Sequence, residues 1–99
     1  MSATIRKVNV GDHRGNRRLW MEGLWLKVAG FERGLLYNLT VTETGLILKL
    51  SSDGSLKVSG KQKGETSIPI IDLNSRQISH LSNTVTVVLE KGQITIVNQ

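Results

Sequence analysis

The sequence predicts a small, mainly β fold of one domain that is built from two similar halves. Two observations lead to this fold class. Apolar and polar residues alternate in several short stretches, at the period of a half-buried strand. The chain has 99 residues, which is enough for one modest core. We therefore expect a single domain over 1–99, with a first half over 1–50, a basic turn-rich connection over 51–65 and a second hairpin half over 66–99.

The elements of the first half run strand, helical elbow, strand, turn and strand. A strand is predicted over Leu19–Gly23 and a helical turn over Leu24–Ala29. Gly30 and Gly34 follow, and glycines at such places supply the positive φ that ends a helical turn and opens the next strand. Alternation then predicts two strands that are joined where Gly45 reverses the chain, with apolar positions at Tyr37, Leu39, Val41, Leu46, Leu48 and Leu50.

Large apolar residues around the elbow are the candidates for the core. Trp25, Leu26 and Phe31 are predicted to fill it, because aromatic side chains bury the most area in a small domain. In the strand before the elbow, Leu19 and Met21 share one face. Trp20 therefore lies on the opposite face, with Arg18 beside it.

The second half repeats this outline after an Asp53-Gly54 hairpin turn. Residues 68–73 are predicted to form an edge strand because they contain Pro69, and residues 74–80 a short elbow. The last hairpin turns at Lys91-Gly92. A shift of 48 residues places the apolar positions of the first hairpin on those of the last, so that Tyr37, Leu39, Val41, Leu46 and Leu48 fall on Val85, Val87, Leu89, Ile94 and Ile96.

The segment around the elbow resembles a known family. Its pattern is Gly23-Leu-Trp25-Leu26 followed by Ala29-Gly30-Phe31-Glu-Arg-Gly34, with Leu19 and Met21 before it and Leu46 and Leu48 after it. These residues resemble the SymE family, toxin-like members of the AbrB and MazE superfamily of swapped-hairpin barrels, and Arg6–Val10 is similar to its first strand. The resemblance covers about half of the chain. It implies a swapped-hairpin barrel, formed either by two hairpin halves in one chain or by a swapped homodimer.

Positive charge is concentrated in two turn-containing segments. Residues 1–18 carry five cations against Asp12 alone, a balance of +4, and residues 57–63 carry three lysines and no acid, in a chain of net charge +5. This concentration favours contacts with the phosphates of DNA or RNA, the alternative being a solubilising surface. The residues predicted to bind nucleic acid are Arg6, Lys7, Arg14, Arg17, Arg18, Lys61 and Lys63.

Other kinds of site have little support in the sequence. The chain has no cysteine, which excludes disulfides and thiolate metal sites. His13 and His80 do not have the spacing of metal ligands, so no metal or cofactor is expected. His13 could be combined with Arg14, Arg17 or Glu22 into an acid–base site, but loop histidines beside arginines are more often surface residues, and we assign no catalytic residue. Without a signal-peptide core or an apolar span, a cytoplasmic protein with no membrane partner is expected.

Three functions are consistent with these features. The first is a SymE-like toxin or regulator that binds DNA or RNA through basic loops. The second is an RNA-cleaving toxin, which the family resemblance implies. The third is a small inhibitor, encoded by a phage or mobile element, that binds a host nucleic-acid-processing protein.

Overall fold

The computed structural model describes residues 4–99, which form ten β-strands and two short 3₁₀ helices. The mainly β prediction is confirmed. The helices are Leu24–Ala29 and Arg76–Ile78, and no helix within residues 4–99 is long and apolar enough to cross a bilayer. The strands are β1 (Thr4–Asn9), β2 (Gly11–His13), β3 (Asn16–Glu22), β4 (Leu36–Thr42), β5 (Gly45–Leu50), β6 (Leu56–Lys57), β7 (Ser59–Lys63), β8 (Thr66–Leu73), β9 (Thr84–Glu90) and β10 (Gln93–Asn98).

The strands form two antiparallel sheets that enclose the core. One sheet has six strands in the order β1-β9-β10-β5-β4-β6, and the other has four in the order β2-β3-β8-β7. Neither sheet closes on itself within the described part of the chain, so the closed barrel implied by the family resemblance is not confirmed. Alternating apolar residues on the longer strands of both sheets form the core, because one face of these strands is apolar. Fully buried members include Leu19, Met21, Leu48, Val87 and Ile94.

Equivalent strands of the two halves pair with each other at the centre of each sheet. β5 pairs with β10, and β3 pairs with β8. Within the hairpins, Tyr37 is opposite Leu50, and the residues 48 positions later, Val85 and Asn98, are also opposite each other. The two halves are therefore related by a pseudo-two-fold axis, and in the six-stranded sheet the 48-residue shift in the sequence is also a shift in strand register. The hairpins of the four-stranded sheet do not share this register, since Gly11 is opposite Arg18 whereas Ser59 is opposite Ile70.

The first strand of each half is exchanged with the other half. β1 pairs with β9, and β6 pairs with β4. Each exchanged strand then bends into the four-stranded sheet at a buried valine. Val10 N–H donates to the Asn83 carbonyl at 2.8 Å, and Val58 N–H donates to the Leu35 carbonyl at 2.9 Å. These two bonds are equivalent under the same 48-residue shift, so both bends are fixed in the same way.

The helical turn of the elbow lies where the sequence predicts it, but the prediction that Trp25 fills the core is wrong. A 3₁₀ helix covers Leu24–Ala29, and Gly30 ends it in the left-handed conformation with φ 81°. Leu26 and Phe31 are fully buried, and the Phe31 ring lies 5.7 Å from the Tyr37 ring. Trp25 is only half-buried and packs at the edge of the core, where its Nε1 donates to the Glu22 carbonyl at 3.1 Å. Burial also raises the pKa of Tyr37 to about 12.

Two segments differ from the sequence prediction. Residues 56–63, expected within a turn-rich connection, form β6 and β7. The strand that contains Pro69 is interior, between β3 and β7, rather than at an edge. The proline is tolerated because its carbonyl accepts from Gly23, just beyond the end of β3. In an antiparallel strand the N–H and C=O of a residue point to the same side, so the missing N–H of Pro69 would also face β3. No hydrogen bond between β8 and β7 is therefore lost.

Substitutions of the buried Phe31 and of the partly exposed Trp20 should differ in their effect on stability. We expect Phe31→Ala to lower the free energy of unfolding by about 3–5 kcal/mol, the usual cost of removing a buried aromatic side chain. Trp20→Ala should cost clearly less, because 44% of that side chain is exposed. Denaturant melts measure both, and equal losses would contradict the placement of Phe31 in the core.

The close contact between the two halves should depend on Gly45. A Cβ at this position would overlap the Ile96 carbonyl oxygen across the β5–β10 pair, whereas a Cβ at Gly11 would meet nothing nearer than 3.9 Å. We expect Gly45→Ala to cost at least about 1–3 kcal/mol, the usual range for overpacking. Gly11→Ala is the matched control in thermal melts. A Gly45→Ala variant as stable as the control would mean that β5 and β10 separate at little cost.

Candidate nucleic-acid interface

The outer face of the four-stranded sheet combines an exposed tryptophan with several charged residues. Leu19 and Met21 point into the core, so Arg18, Trp20 and Glu22 lie on the outer face of β3. This confirms the predicted facing of the strand. Register places the outer residues of β7, Ser59, Lys61 and Lys63, on the same face.

Trp20 is held in one orientation by its two neighbours on β3. The Arg18 guanidinium carbon lies 4.7 Å from the centre of the indole, at the distance of a cation–π contact. The indole Nε1 donates to Glu22 Oε1 at 3.2 Å. An exposed aromatic side chain with one face and one edge engaged has little rotamer freedom left, so the orientation of Trp20 is fixed.

Ion pairs extend this arrangement to the neighbouring strands. Arg18 donates two hydrogen bonds of 3.0 Å to Asp72 on β8, and this partner raises the pKa of Arg18. Glu22 pairs with Lys61 on β7, and the hydrogen bond from Lys61 holds the pKa of Glu22 below its ordinary value. The five residues form one connected row across β8, β3 and β7. We call this row the outer-face network: Asp72, Arg18, Trp20, Glu22 and Lys61.

The arginines of the β2–β3 hairpin do not form the free cluster that the sequence predicts. Arg17 lies on the inner side, where it contacts Asp12 at 3.3 Å and donates to the Leu81 carbonyl at 2.9 Å. Arg18 belongs to the outer-face network. Arg14 alone of the three extends from the turn, with φ 53°. The reason is tertiary, because Leu81 and Asp72 are far away in sequence.

The other predicted cations are spread over the surface. Arg14 and Lys63 lie beside hairpin turns at opposite ends of the four-stranded sheet, because β3 and β8 run antiparallel. Arg6 is opposite the buried Val87, and its guanidinium lies 4.5 Å from the centre of the Trp25 ring, so it covers the core edge. Lys7 is on the outer face of the six-stranded sheet. The structure therefore does not unite the seven predicted residues into one patch.

Two grooves lie at the bends of the exchanged strands. The first, of about 310 Å³, adjoins Trp20 and Arg18 and is lined also by Asn9, Val10, Gly11 and Asp12. The second, of about 480 Å³, is lined by Arg33, Gly34, Lys57, Val58, Ser59 and Gly60. The sequence places Lys57 among the cations of a basic segment and predicts no role for Arg33. No local sequence pattern indicates that the two residues line one groove, since the 3₁₀ elbow and β6 meet only in the folded chain.

Comparisons with protein-family models, with characterised proteins and with solved structures find no match to this chain. The outer face is therefore interpreted from its own geometry and charge. That geometry offers aromatic stacking and cationic contacts.

The acid–base combination of His13 with Glu22 is not assembled. His13 is opposite Asn16 at one end of β3, and Glu22 lies six residues further along that strand, about 20 Å away. Arg17 is turned inward to Asp12. His80 Nε2 lies 2.9 Å from the Gly45 carbonyl oxygen, a contact that joins the second elbow to β5. Among residues 4–99, no group of three or more metal-ligating side chains is close enough to hold a metal ion.

The Glu22–Lys61 pair should make stability depend on pH in acid. Because the pKa of Glu22 is lowered from 4.5 in the folded chain, its ionised form contributes stability above that value, and this contribution is lost as the pH falls through the lowered pKa. We expect Glu22→Gln to be less stable than the parent at neutral pH and equal to it in strong acid. Thermal melts across this range measure the difference, with Glu65→Gln as the control. A difference that persists in acid would show that the charge of Glu22 is not its cause.

Proposed function

We propose that this protein binds single-stranded DNA or RNA on the outer face of its four-stranded sheet. The observation that carries the proposal is Trp20, which is 44% exposed and oriented by Arg18 and Glu22 on a face that also bears Lys61 and Lys63. Sheets with exposed aromatic residues bind unpaired bases by stacking, since every base has a π-face. Nearby cations attract the phosphates.

A single strand is favoured over a duplex by the form of this surface. Trp20 stands on a strand in the plane of a sheet, and a base must be unstacked to lie flat against it. Within the described residues, neither helix is long enough to enter a major groove as a recognition helix does, since they have six and three residues. Stacking on Trp20 would supply affinity, and the cations would supply the dependence on salt.

The relation to SymE-like proteins is part of the same proposal. The exchange of β1 and β6 between halves supports a swapped-hairpin ancestry in which one chain contains both halves. A toxin or regulator that occludes nucleic acid needs only binding. Cleavage of RNA would need a base and an acid in reach of one phosphodiester, and His13 and Glu22 do not meet this need.

Binding should depend on Trp20 through stacking and on Lys63 through charge. We expect Trp20→Ala to weaken binding of a fluorescent oligothymidylate or oligouridylate by roughly 5- to 150-fold, corresponding to about 1–3 kcal/mol for one stacked base. Trp20→Phe should retain most of the affinity. Lys63→Gln should instead lower the slope of log affinity against log salt by about 0.7.

Val41→Ala is the control for Trp20, because Val41 is similarly exposed, at 47%, on the other sheet. Fluorescence anisotropy gives the affinities, and melts confirm that each variant is folded. Equal binding by the parent and by Trp20→Ala would contradict the stacking surface.

If the parent shows no salt-sensitive binding at all, a protein target becomes the better proposal. The surface available for such a target is the apolar groove of about 300 Å³ beside Leu35, Leu36 and Leu50.

A further inference from the structure

We propose that the groove at the β6–β7 bend is a phosphate-binding site, in which Arg33 and Lys57 hold the backbone of the nucleic acid that stacks on Trp20. This inference rests on the nucleic-acid binding proposed above, and it assigns a role to a residue, Arg33, that lies outside the two basic segments. We call this groove the Arg33–Lys57 groove. Its other lining residues are Gly34, Val58, Ser59 and Gly60.

The backbone holds Arg33 in place at the groove. A Cβ on Gly60 would come within 2.8 Å of both Cγ and Cδ of Arg33, so the arginine stem rests directly on the glycine backbone. The loop that carries Arg33 is tied to the bend by Gly34 N–H, which donates to the Val58 carbonyl at 2.9 Å. The position of the stem is thus fixed by β7 and by the elbow together.

The charge of the groove is not neutralised by the protein. No acidic residue lines it. Among residues 4–99, neither Arg33 nor Lys57 has a carboxylate within the 4.0 Å of an ion pair, in contrast to Arg17, Arg18 and Lys61. Two uncompensated cations beside an open groove attract an anion, and a guanidinium has the fork of donors that suits phosphate oxygens.

The pseudo-two-fold axis shows that the bend does not require Lys57. At the equivalent bend, 48 positions away, Val10 replaces Val58 and Asn9 stands in the place of Lys57. That bend is held by the same backbone hydrogen bond without a cation at this position. The architecture therefore explains the valine but leaves Lys57 to be explained by binding.

The groove lies within reach of a strand that stacks on Trp20. Ser59, at its edge, is opposite Ile70, which is opposite Glu22. Ser59 is thus two strand spacings from β3, about 10 Å, and two residues along it from Trp20, about 7 Å. Lys61 lies two residues further along β7, beyond Ser59 as seen from Trp20. β6 and β7 are edge strands of their sheets, so the groove lies at the border of this face. A short segment of nucleic acid that passes over this edge can place a base on Trp20 and a phosphate in the groove.

The test compares Arg33→Gln, Lys57→Gln and the double variant with Lys49→Gln, a control that removes one positive charge from β5, two strands away from β6 and outside the groove. Affinity for oligothymidylate is measured over a range of salt concentrations. We expect each groove variant to lower the slope of log affinity against log salt by about 0.7, the value for one phosphate contact on a single strand. Lys49→Gln should leave the slope unchanged. If the double variant loses no more than the control, the groove assignment is overturned while the proposed function stands.

Inorganic pyrophosphate serves as a second probe that does not depend on base stacking. In NMR titrations we expect shifts of the backbone amides of Gly34, Ser59 and Gly60 that the double variant abolishes. Such shifts in a parent that fails to bind oligonucleotide would overturn the proposed function and leave the anion site. No shift at these amides would overturn the site, whatever the oligonucleotide result.

Discussion

The pairing of equivalent strands across the pseudo-two-fold axis is the constraint on which the rest of this structure depends. A lone hairpin is at best marginally stable in water, because it cannot bury its apolar face. Here β5 pairs with β10 and β3 with β8, which makes continuous sheets out of four separate hairpins. Gly45 permits the backbone approach at the first of these pairs. The exchanged strands β1 and β6 then widen the larger sheet and link it to the smaller one.

The same pairing decides which charges are available at the surface. Three of the seven predicted binding residues, Arg17, Arg18 and Lys61, have acidic partners on other strands of the four-stranded sheet. Ion pairs at partly exposed positions contribute little to stability, and their main effect here is geometric. The pair with Asp72 keeps Arg18 against the Trp20 ring, and the pair with Lys61 keeps Glu22 at the indole edge. Arg18 and Lys61, which the sequence predicts as phosphate contacts, thus hold the Trp20 side chain in place instead.

Differences between the halves are as informative as their similarity. At both bends the residue that points into the core is apolar, Val10 in the first half and Val58, 48 residues later, in the second. Other positions differ between the halves, and one bend carries a tryptophan and its arginine while the other carries two unpaired cations. In the proposed binding, these two chemically distinct grooves would fix the orientation of one strand of nucleic acid.

The sequence by itself determined the mainly β class, the elbow over Leu24–Ala29, the last hairpin and the facing of Trp20. These depend on alternation and on glycine positions, which act within a few residues. Only the tertiary structure decided that β1 and β6 are exchanged, that the Pro69 strand is interior, and that Arg33 and Lys57 line one groove. Each of these depends on which distant segment lies alongside, and alternation cannot specify that, because any strand with the same period presents the same apolar face.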